Sequence, residues 1–307
     1  MRSPRRSGLA RQEALYGLLF VTPWIVGFLL WVAGPMLFSF ALVFTDWHIL
    51  STPTFVGLEN IRTMLTDKFV GIALYNTAYF TFIYVPLNLA VALGLAMLVN
   101  MQSRWIGALR TVYYLPSVTP TVAYTALWIW MLNADYGLVN LLLKQVGVKG
   151  PRWLGDPAWA KPALILMSLW GFGSVALIFL AALQGVPEAL YEAASLDGAG
   201  AWTRFWNVTL PMISPAALFN LVIGMINSFQ IFTAAYVIAQ GGAPGGPVNS
   251  TLFLVIYLYN AGFRDFEMGY ASTLAWLLFL IVLILTGVQF ATSRRWVHYE
   301  TGEEGTG

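Results

Sequence analysis

The chain has 307 residues, of which 58% are hydrophobic and only 10% are charged, whereas a soluble domain carries about 25% charged residues. A net charge of +2 without a basic stripe argues against a nucleic-acid-binding protein, and a sequence without cysteine excludes disulfides and thiolate metal sites. His48 and His298 are far apart in sequence, so no metal site is predicted. A single core of this size cannot bury so many apolar side chains, and the remainder must face lipid.

Six stretches contain no Asp, Glu, Lys or Arg, and each is longer than the roughly 20 residues that cross a bilayer. A charge at the bilayer centre costs roughly 3 kcal/mol or more, which explains why charged residues are absent from these stretches. The stretches are continuously apolar rather than alternating, which predicts helices and not barrel strands. The six predicted spans are Leu15–Phe44, Gly71–Val99, Thr111–Leu132, Ala163–Leu183, Ala216–Ala239 and Gly269–Phe290.

The N-terminal arginines followed by an apolar run are also typical of a cleaved signal peptide. The first run is longer than a signal's apolar region and has no clear small-residue cleavage site, which favours a retained helix. The positive-inside rule then puts both termini in the cytoplasm. We therefore predict a cytoplasmic basic arm at 1–14, a transmembrane domain at 15–294 and a cytoplasmic tail at 295–307.

The stretch that contains span 5 is long enough to raise the question of a seventh span. Glycines and prolines between Gly241 and Pro247 predict a loop. The apolar run Thr251–Phe263 is too short to cross. We expect it to form a short helix at the outer membrane surface.

The segment between spans 4 and 5, about 186–213, is the most informative loop. Pro187 suits the first position of a helix, Glu188 complements the helix dipole, and Gly198 or Gly200 can end the helix in a left-handed turn. Aromatic residues then follow at helical spacing before Pro211, and they suit the headgroup level. By themselves, these features are equally compatible with a loop that only carries two interfacial helices.

A resemblance favours a specific function for this loop. Glu192-Ala193-Ala194, then Gly198, then Val208-Thr209-Leu210-Pro211 resembles the Glu-Ala-Ala signature of permease subunits of ATP-binding-cassette (ABC) importers, with Val208 in place of the usual Ile. The resemblance implies a cytoplasmic coupling helix that docks on an ATPase subunit. Carried over, the docking positions are Glu192, Ala193, Ala194, Asp197 and Gly198.

Further motifs resemble the carbohydrate-uptake permeases of the maltose type. They are Asn76-Thr77, Arg110 with Tyr113–Pro116, Trp128, Gly137, Asn140, Gln240–Pro244 and the run from Tyr257 to Ser272. Relative to the family pattern, Ala243 is an insertion in the Gln240–Pro244 motif. The resemblance implies a bacterial or archaeal inner-membrane complex with a second homologous permease, two ATPase subunits and an extracytoplasmic solute-binding protein. It also implies that the partner ATPase, not this chain, uses ATP and Mg²⁺, since no phosphate-binding loop motif is present.

Span 5 carries polar side chains that suit a solute pathway, because amides hydrogen-bond hydroxyl groups and aromatic rings stack on sugars. The candidates are Asn227, Ser228, Gln230, Asn220 and Tyr236. The alternative is that these groups join helices to each other or to a partner permease.

The sequence therefore predicts an all-α polytopic membrane protein with six transmembrane helices and a cytoplasmic coupling helix between spans 4 and 5. The predicted cargo is a sugar or oligosaccharide, and another organic solute such as a polyol ester is the alternative. A non-transporting scaffold is a weaker alternative. An intramembrane enzyme is disfavoured because the predicted spans contain no Asp, Glu, His, Lys or Cys, so no catalytic residue is assigned.

Overall fold

A computed structural model describes residues 8–49, 51–100, 106–240 and 245–298. The first seven residues of the predicted basic arm, most of the Gln240–Pro244 motif and the last nine residues of the predicted tail lie outside these ranges. Contacts divide the chain into two compact units, one formed by Met1–Thr66 with Ala261–Trp276 and the other by Asp67–Asn260 with Leu277–Gly307.

The described residues are almost entirely helical, with one short antiparallel hairpin. The strands are β1 (Thr45–Asp46) and β2 (Thr54–Phe55). The helices are α1 (Gly8–Phe28), α2 (Gly34–Leu42), α3 (Glu59–Thr66), α4 (Lys68–Asn100), α5 (Ile106–Val118), α6 (Thr121–Met131), α7 (Leu138–Gln145), α8 (Pro157–Leu169), α9 (Gly173–Gln184), α10 (Glu188–Leu196), α11 (Ala201–Arg204), α12 (Leu210–Met212), α13 (Ser214–Phe229), α14 (Thr233–Gln240), α15 (Leu254–Tyr259) and α16 (Met268–Ser293). Single π-helical turns occupy Leu29–Ala33, Phe205–Thr209 and Asn260–Arg264, and a 3₁₀ turn occupies Pro247–Asn249.

The protein is a polytopic α-helical membrane protein. Within the described ranges, four helical segments are long and apolar enough to cross a bilayer, and they are Ala10–Leu42, Lys68–Asn100, Ser214–Ala239 and Met268–Ser293. The bent pair α8 and α9 forms a fifth if it counts as one span. These five correspond to predicted spans 1, 2, 5, 6 and 4. The count of six stays a prediction.

The predicted span 3 is not one continuous helix. It divides into α5 and α6 around Thr119 and Pro120, and Pro120 has an extended backbone with φ −55° and ψ 133°. Proline lacks an N–H and disfavours helical geometry in the residue before it, so the helix ends there. The expectation of a single helix over Thr111–Leu132 was therefore wrong.

Spans 4 and 5 also contain breaks. The axes of α8 and α9 differ by 49° across Trp170–Phe172. The helix of span 5 ends at Phe229 and resumes at Thr233, and Gln230 has φ −99° and ψ 18°. Neither interruption is visible in the hydrophobic pattern, because the residues around each break remain mainly apolar.

The second unit packs around α4. Ala92 and Ala96 of α4 and Ala176 of α9 are buried and form a core cluster with Phe179 and Leu180. Small residues four positions apart let helix backbones approach closely, which is the usual basis of helix association in lipid. Gly173 shows the same effect, since an added Cβ would lie 2.6 Å from the Tyr113 carbonyl oxygen of α5.

The apolar run after span 5 forms the expected short helix, α15, and is buried against α4, while its position at the outer membrane surface stays a prediction. Phe253, Leu254 and Ile256 are at most 1% exposed, and the Phe253 ring packs edge-on against Phe80 of α4 at 5.6 Å. The hydroxyl of Thr77 accepts a 3.0 Å hydrogen bond from the Leu254 amide. The Thr77 side chain of α4 therefore satisfies a backbone amide of this segment, which lowers the free-energy cost of burying it.

In the first unit, the end of α2 packs against the start of α16. The rings of Phe40 and Trp276 lie 4.8 Å apart, and the Trp276 indole donates a 3.2 Å hydrogen bond to Ser39 Oγ. The Asn60 amide donates to the carbonyls of Val43 and Thr45, which ties α3 to the β1 region. This unit thus anchors the first and last spans to the β-hairpin.

Candidate functional site

A cavity of about 320 Å³ lies within the second unit, at the level of the break in span 5. Four helical regions contribute its wall, and none of the lining side chains is charged. The lining residues are Phe80, Tyr84, Thr121, Tyr124, Ser168, Gly171, Asn227, Ser228, Ile231, Phe232, Thr233 and Ala234. The cavity therefore offers hydroxyl, amide and aromatic groups to a solute without a formal charge.

Three helical breaks meet at this cavity. Thr121 directly follows the break in span 3, Gly171 lies in the break of span 4, and Ile231 and Phe232 form the break of span 5. Non-helical backbone is tolerated at membrane depth only where it is buried in protein or lines a cavity. The arrangement matches solute sites of transporters, which are commonly built from discontinuous helices.

The span-5 break follows from local polar groups. The amides of Gln230 and Ile231 bond to carbonyls three residues back, at 3.2 and 3.3 Å, so the helix tightens and ends. The Ser228 hydroxyl donates to the Met225 carbonyl at 3.0 Å. Side chains of this kind compete with the helical backbone for hydrogen bonds, which favours a bend or an end.

The five pathway candidates are distributed unevenly around this break. Asn227 and Ser228 lie in the cavity wall. Gln230 is exposed and is not among the lining residues. Asn220 is 4% exposed and donates to the Ala216 carbonyl of its own helix at 3.0 Å, so its amide is used locally.

Tyr236 belongs to an aromatic cluster beside the cavity rather than to its wall. Its ring stacks on Phe232 at 4.9 Å and meets Tyr259 of α15 edge-on at 5.2 Å, while Phe232 and Tyr259 are 5.0 Å apart. A hydrogen bond with Tyr236 raises the pKa of the Tyr259 phenol above its ordinary value. Because Phe232 also lines the cavity, the cluster connects the cavity wall to α15.

Aromatic residues of helices outside span 5 also line the cavity, and they were not among the predicted pathway residues. Tyr84 of α4 and Tyr124 of α6 face the cavity from outside span 5. A phenol in an apolar span usually has a polar partner or lines a cavity, so each of these tyrosines indicated a polar environment near its hydroxyl. Which tyrosines converge on one cavity depends on helix packing and not on spacing along the chain.

The loop between spans 4 and 5 forms the predicted short helix, α10. Pro187 is the residue before the first helical position rather than that position itself, with φ −60° and ψ 130°. Gly198 ends the helix with φ +78°, its amide bonds to the Ser195 carbonyl, and the Ala199 amide bonds to the Ala194 carbonyl at 2.9 Å. This pair of bonds is the Schellman motif, which favours glycine at the left-handed position.

One face of α10 is open. Glu192, Ala193, Asp197 and Gly198 are exposed, whereas Ala194 is half-buried on the opposite side. Leu196, which the sequence analysis did not select, is 90% exposed. Helical spacing places Glu192, Ala193 and Leu196 on a common face, and this face combines one carboxylate with small and apolar side chains.

The chain matches a known family over most of its length. Residues 89–298 match the family described as "Binding-protein-dependent transport system inner membrane component". The chain belongs to this family of ABC transporter permeases. The family assignment that the sequence motifs predicted is therefore confirmed.

Relatives and solved structures agree with this family. The chain is 40% identical over 303 residues to the probable ABC transporter permease protein YesP of Bacillus subtilis, covering 98% of this chain and 97% of that protein. It is 37% identical over 300 residues to the lactose transport system permease protein LacF of Rhizobium radiobacter, covering 96% and 99%. A chain in the crystal structure of a bacterial ABC transporter involved in the import of the acidic polysaccharide alginate shares the fold, with a TM-score of 0.79 at 24% identity over 93% of this chain and 96% of that chain.

Proposed function

We propose that this protein is a membrane subunit of an ABC importer that carries an uncharged sugar or oligosaccharide. The observation that carries the proposal is the cavity at three helical breaks, lined by hydroxyl, amide and aromatic groups without a charge. Sugars offer hydroxyls to amides and apolar ring faces to aromatic side chains. A relative that is 37% identical over nearly the whole chain is named a lactose permease, which supports the same substrate class.

The size and composition of the cavity constrain the solute. A volume of about 320 Å³ lies near the lower end of ligand pockets, which suits a small sugar or one end of a longer chain. A phosphate or sulfonate would lack a cationic partner among the lining side chains, and desolvating an unpaired anion is costly. These features favour a neutral cargo over a polyol ester.

The proposal places α10 on the cytoplasmic side, as the docking element for an ATPase subunit. Its exposed face carries Glu192 for one charge-assisted contact and Ala193 for close backbone approach. Leu196 adds an exposed apolar group that a partner cleft would bury. Both chain termini then lie in the cytoplasm of a bacterial or archaeal cell, and the protein resides in its inner membrane.

The complete importer contains further chains. We propose a second homologous permease, an ATPase dimer that uses ATP and Mg²⁺, and an extracytoplasmic solute-binding protein. The description of the family as binding-protein-dependent supports the last of these. This chain contributes no catalytic residue and binds no cofactor in this proposal.

Affinity purification from native membranes in a mild detergent tests the assembly. Recovery of an ATPase subunit with a second permease supports the proposal. Recovery of this chain alone, under conditions that keep a known importer intact, would favour a scaffold. Uptake of radiolabelled lactose, other neutral sugars and glycerol 3-phosphate, each measured separately, then tests the cargo class, and uptake of glycerol 3-phosphate without uptake of any neutral sugar would contradict a neutral solute.

A further inference from the structure

A closed ring of hydrogen bonds joins α10 to the segment that follows it. The hydroxyls of Tyr191 and Thr209 are 3.0 Å apart, and the Thr209 hydroxyl donates to the Arg204 carbonyl at 3.4 Å. Arg204 Nη1 donates to Ser195 Oγ at 3.1 Å, and that hydroxyl donates to the Tyr191 carbonyl at 2.8 Å.

The ring occupies a different face of α10 from the open face formed by Glu192, Ala193 and Leu196. Tyr191 and Ser195 are four residues apart and therefore share a face. Glu192 and Leu196 follow them by one position each and are exposed. A partner can thus contact the open face without displacing any member of the ring.

The backbone that connects α10 to the following segment does not by itself fix the angle between them. It is the turn Asp197–Gly200, in which Gly198 adopts φ +78° and an added Cβ at either glycine would meet nothing within 4 Å. Glycine restricts the backbone less than any other residue. Without the ring, this turn would allow α10 to swing relative to the following segment.

The far side of the ring leads directly to span 5. Thr209 is 6% exposed and ends the π-helical turn Phe205–Thr209, and such turns are frequent at functional sites. The chain continues through α12 into α13, which begins at Ser214 and carries Asn227 and Ser228. At 1.5 Å per residue, α13 extends about 24 Å from the ring region to the cavity.

We propose that this ring is a positioning device: Tyr191, Ser195, Arg204 and Thr209 hold α10 at a fixed angle to the base of span 5. A displacement of α10 by its partner then moves α13 and the cavity wall, instead of bending the glycine turn. This inference rests on the proposed function for the identity of the partner. The ring's effect on the angle between α10 and α13 is a property of this chain alone.

The native chain has no cysteine, so spin labels can be placed without background from this chain. Leu190→Cys reports on α10 and Phe219→Cys reports on α13, since both side chains are exposed. The distance between the labels is measured by pulsed electron paramagnetic resonance in the purified complex, before and after trapping with MgATP and vanadate. Hydrolysis of MgATP is measured on the same samples.

Thr209→Val and Tyr191→Phe each remove one hydroxyl while preserving shape. Thr209→Ser restores the hydroxyl, and Thr292→Val is the matched control, because the Thr292 hydroxyl bonds only to carbonyls of its own helix, at 2.9 and 3.1 Å. Loss of one such hydrogen bond raises about fivefold the population of conformers in which α10 is detached from the segment that follows it. We expect broadened distances and a smaller vanadate-induced shift in Thr209→Val and Tyr191→Phe, with MgATP hydrolysis retained.

Distance distributions as narrow as that of the wild type in both hydroxyl-deletion variants would overturn the ring proposal. A broad distribution in Thr209→Val that is equally broad in Thr209→Ser would also overturn it. If Thr209→Val cannot be purified, Tyr191→Phe decides, because its ring and packing remain. An ATPase subunit missing from the wild-type preparation would instead overturn the proposed function, and transmission through the ring with it. The two failures are therefore distinguishable.

Discussion

The ammonium group of Lys161 in α8 donates a 2.9 Å hydrogen bond to Oδ1 of Asn76 in α4. The same ammonium lies 4.7 Å and 4.9 Å from the ring centroids of Tyr75 and Tyr79. The Asn76 amide in turn donates to the carbonyls of Asn249 and Leu252, at 2.8 and 3.0 Å. One buried asparagine thus joins α4, α8 and the segment before α15.

Replacing Asn76 is expected to destabilise the protein. Asn76→Ala leaves two carbonyls and the Lys161 ammonium without this partner, and we expect a loss of about 3 kcal/mol. Lys161→Met removes one hydrogen bond of Asn76 and the two ring contacts of the ammonium, but it leaves both carbonyls paired and should cost less. Lys144→Met, at an exposed position, serves as the control. Thermal unfolding in detergent, monitored by tryptophan fluorescence, gives the order of the three variants' unfolding midpoints. Equal midpoints for Asn76→Ala and Lys144→Met would contradict the bridging role.

A methyl group at Gly173 is expected to push α9 away from α5. The added Cβ would lie 2.6 Å from the Tyr113 carbonyl oxygen and 3.1 Å from Tyr114 Cα, and overpacking of this kind costs about 1–3 kcal/mol. Gly94→Ala is the matched control, since a Cβ at Gly94 in α4 meets nothing within 4 Å. Alanine favours the helix there by up to about 1 kcal/mol. We expect unfolding midpoints to fall for Gly173→Ala and to stay level or rise for Gly94→Ala.

Within span 5, uptake should depend on Asn227 more than on Gln230. Asn227→Ala removes an amide from the cavity wall, and losing one hydrogen bond to a sugar should weaken apparent affinity about fivefold. Gln230→Ala changes an exposed side chain outside the lining. Initial uptake rates over a range of concentrations of the sugar found to be taken up check this difference. A larger loss for Gln230→Ala would place the solute elsewhere on the span.

The two glycines of the turn after α10 should tolerate substitution differently. Gly198 has φ +78°, which costs a leucine about 1–2 kcal/mol, whereas Gly200 has φ −69° and accepts any side chain of suitable size. Gly198→Leu should therefore reduce transport while membrane insertion persists, and Gly200→Leu should have little effect. Uptake normalised to protein in the membrane distinguishes them. Wild-type uptake in both variants would show that transport does not require glycine in the left-handed conformation at position 198.

Reversal of charge at Glu192 should weaken binding of the ATPase subunit. Loss of a charge-assisted hydrogen bond lowers affinity about tenfold or more, so Glu192→Lys should recover less ATPase during purification. Glu59→Lys, at an exposed position of α3, controls for the effect of reversing an exposed charge elsewhere on the chain. Equal recovery from both variants would mean that Glu192 does not contact the ATPase.

Several features were predictable from the sequence because their causes are local. Charge-free windows identified spans 2 and 6, and the observed helices Lys68–Asn100 and Met268–Ser293 extend the predictions by only one to three residues at each end. Two glycines, Gly198 and Gly200, were expected to end α10, and Gly198 is the one that adopts the left-handed conformation. The family signature in the same loop supplied the membership that the comparison confirmed.

The candidate site was only partly predictable. Polarity within an apolar span selected Asn227 and Ser228, which line the cavity, but it also selected Asn220, whose amide bonds to its own helix. Tyr84 and Tyr124 were not among the candidates, because both lie outside span 5, from which all the candidates came. Side-chain type indicates that a group needs a polar environment, but not which partner provides it.

The sequence by itself determined that the chain is helical and membrane-spanning, because lipid excludes charges and requires every backbone polar group to be satisfied. Tertiary structure decided where the helices break and what those breaks enclose. A helix at membrane depth can be interrupted only where groups from other helices or a cavity satisfy the freed backbone. Thr121, Gly171 and Ile231 come from three different spans, and only packing brings them to one cavity.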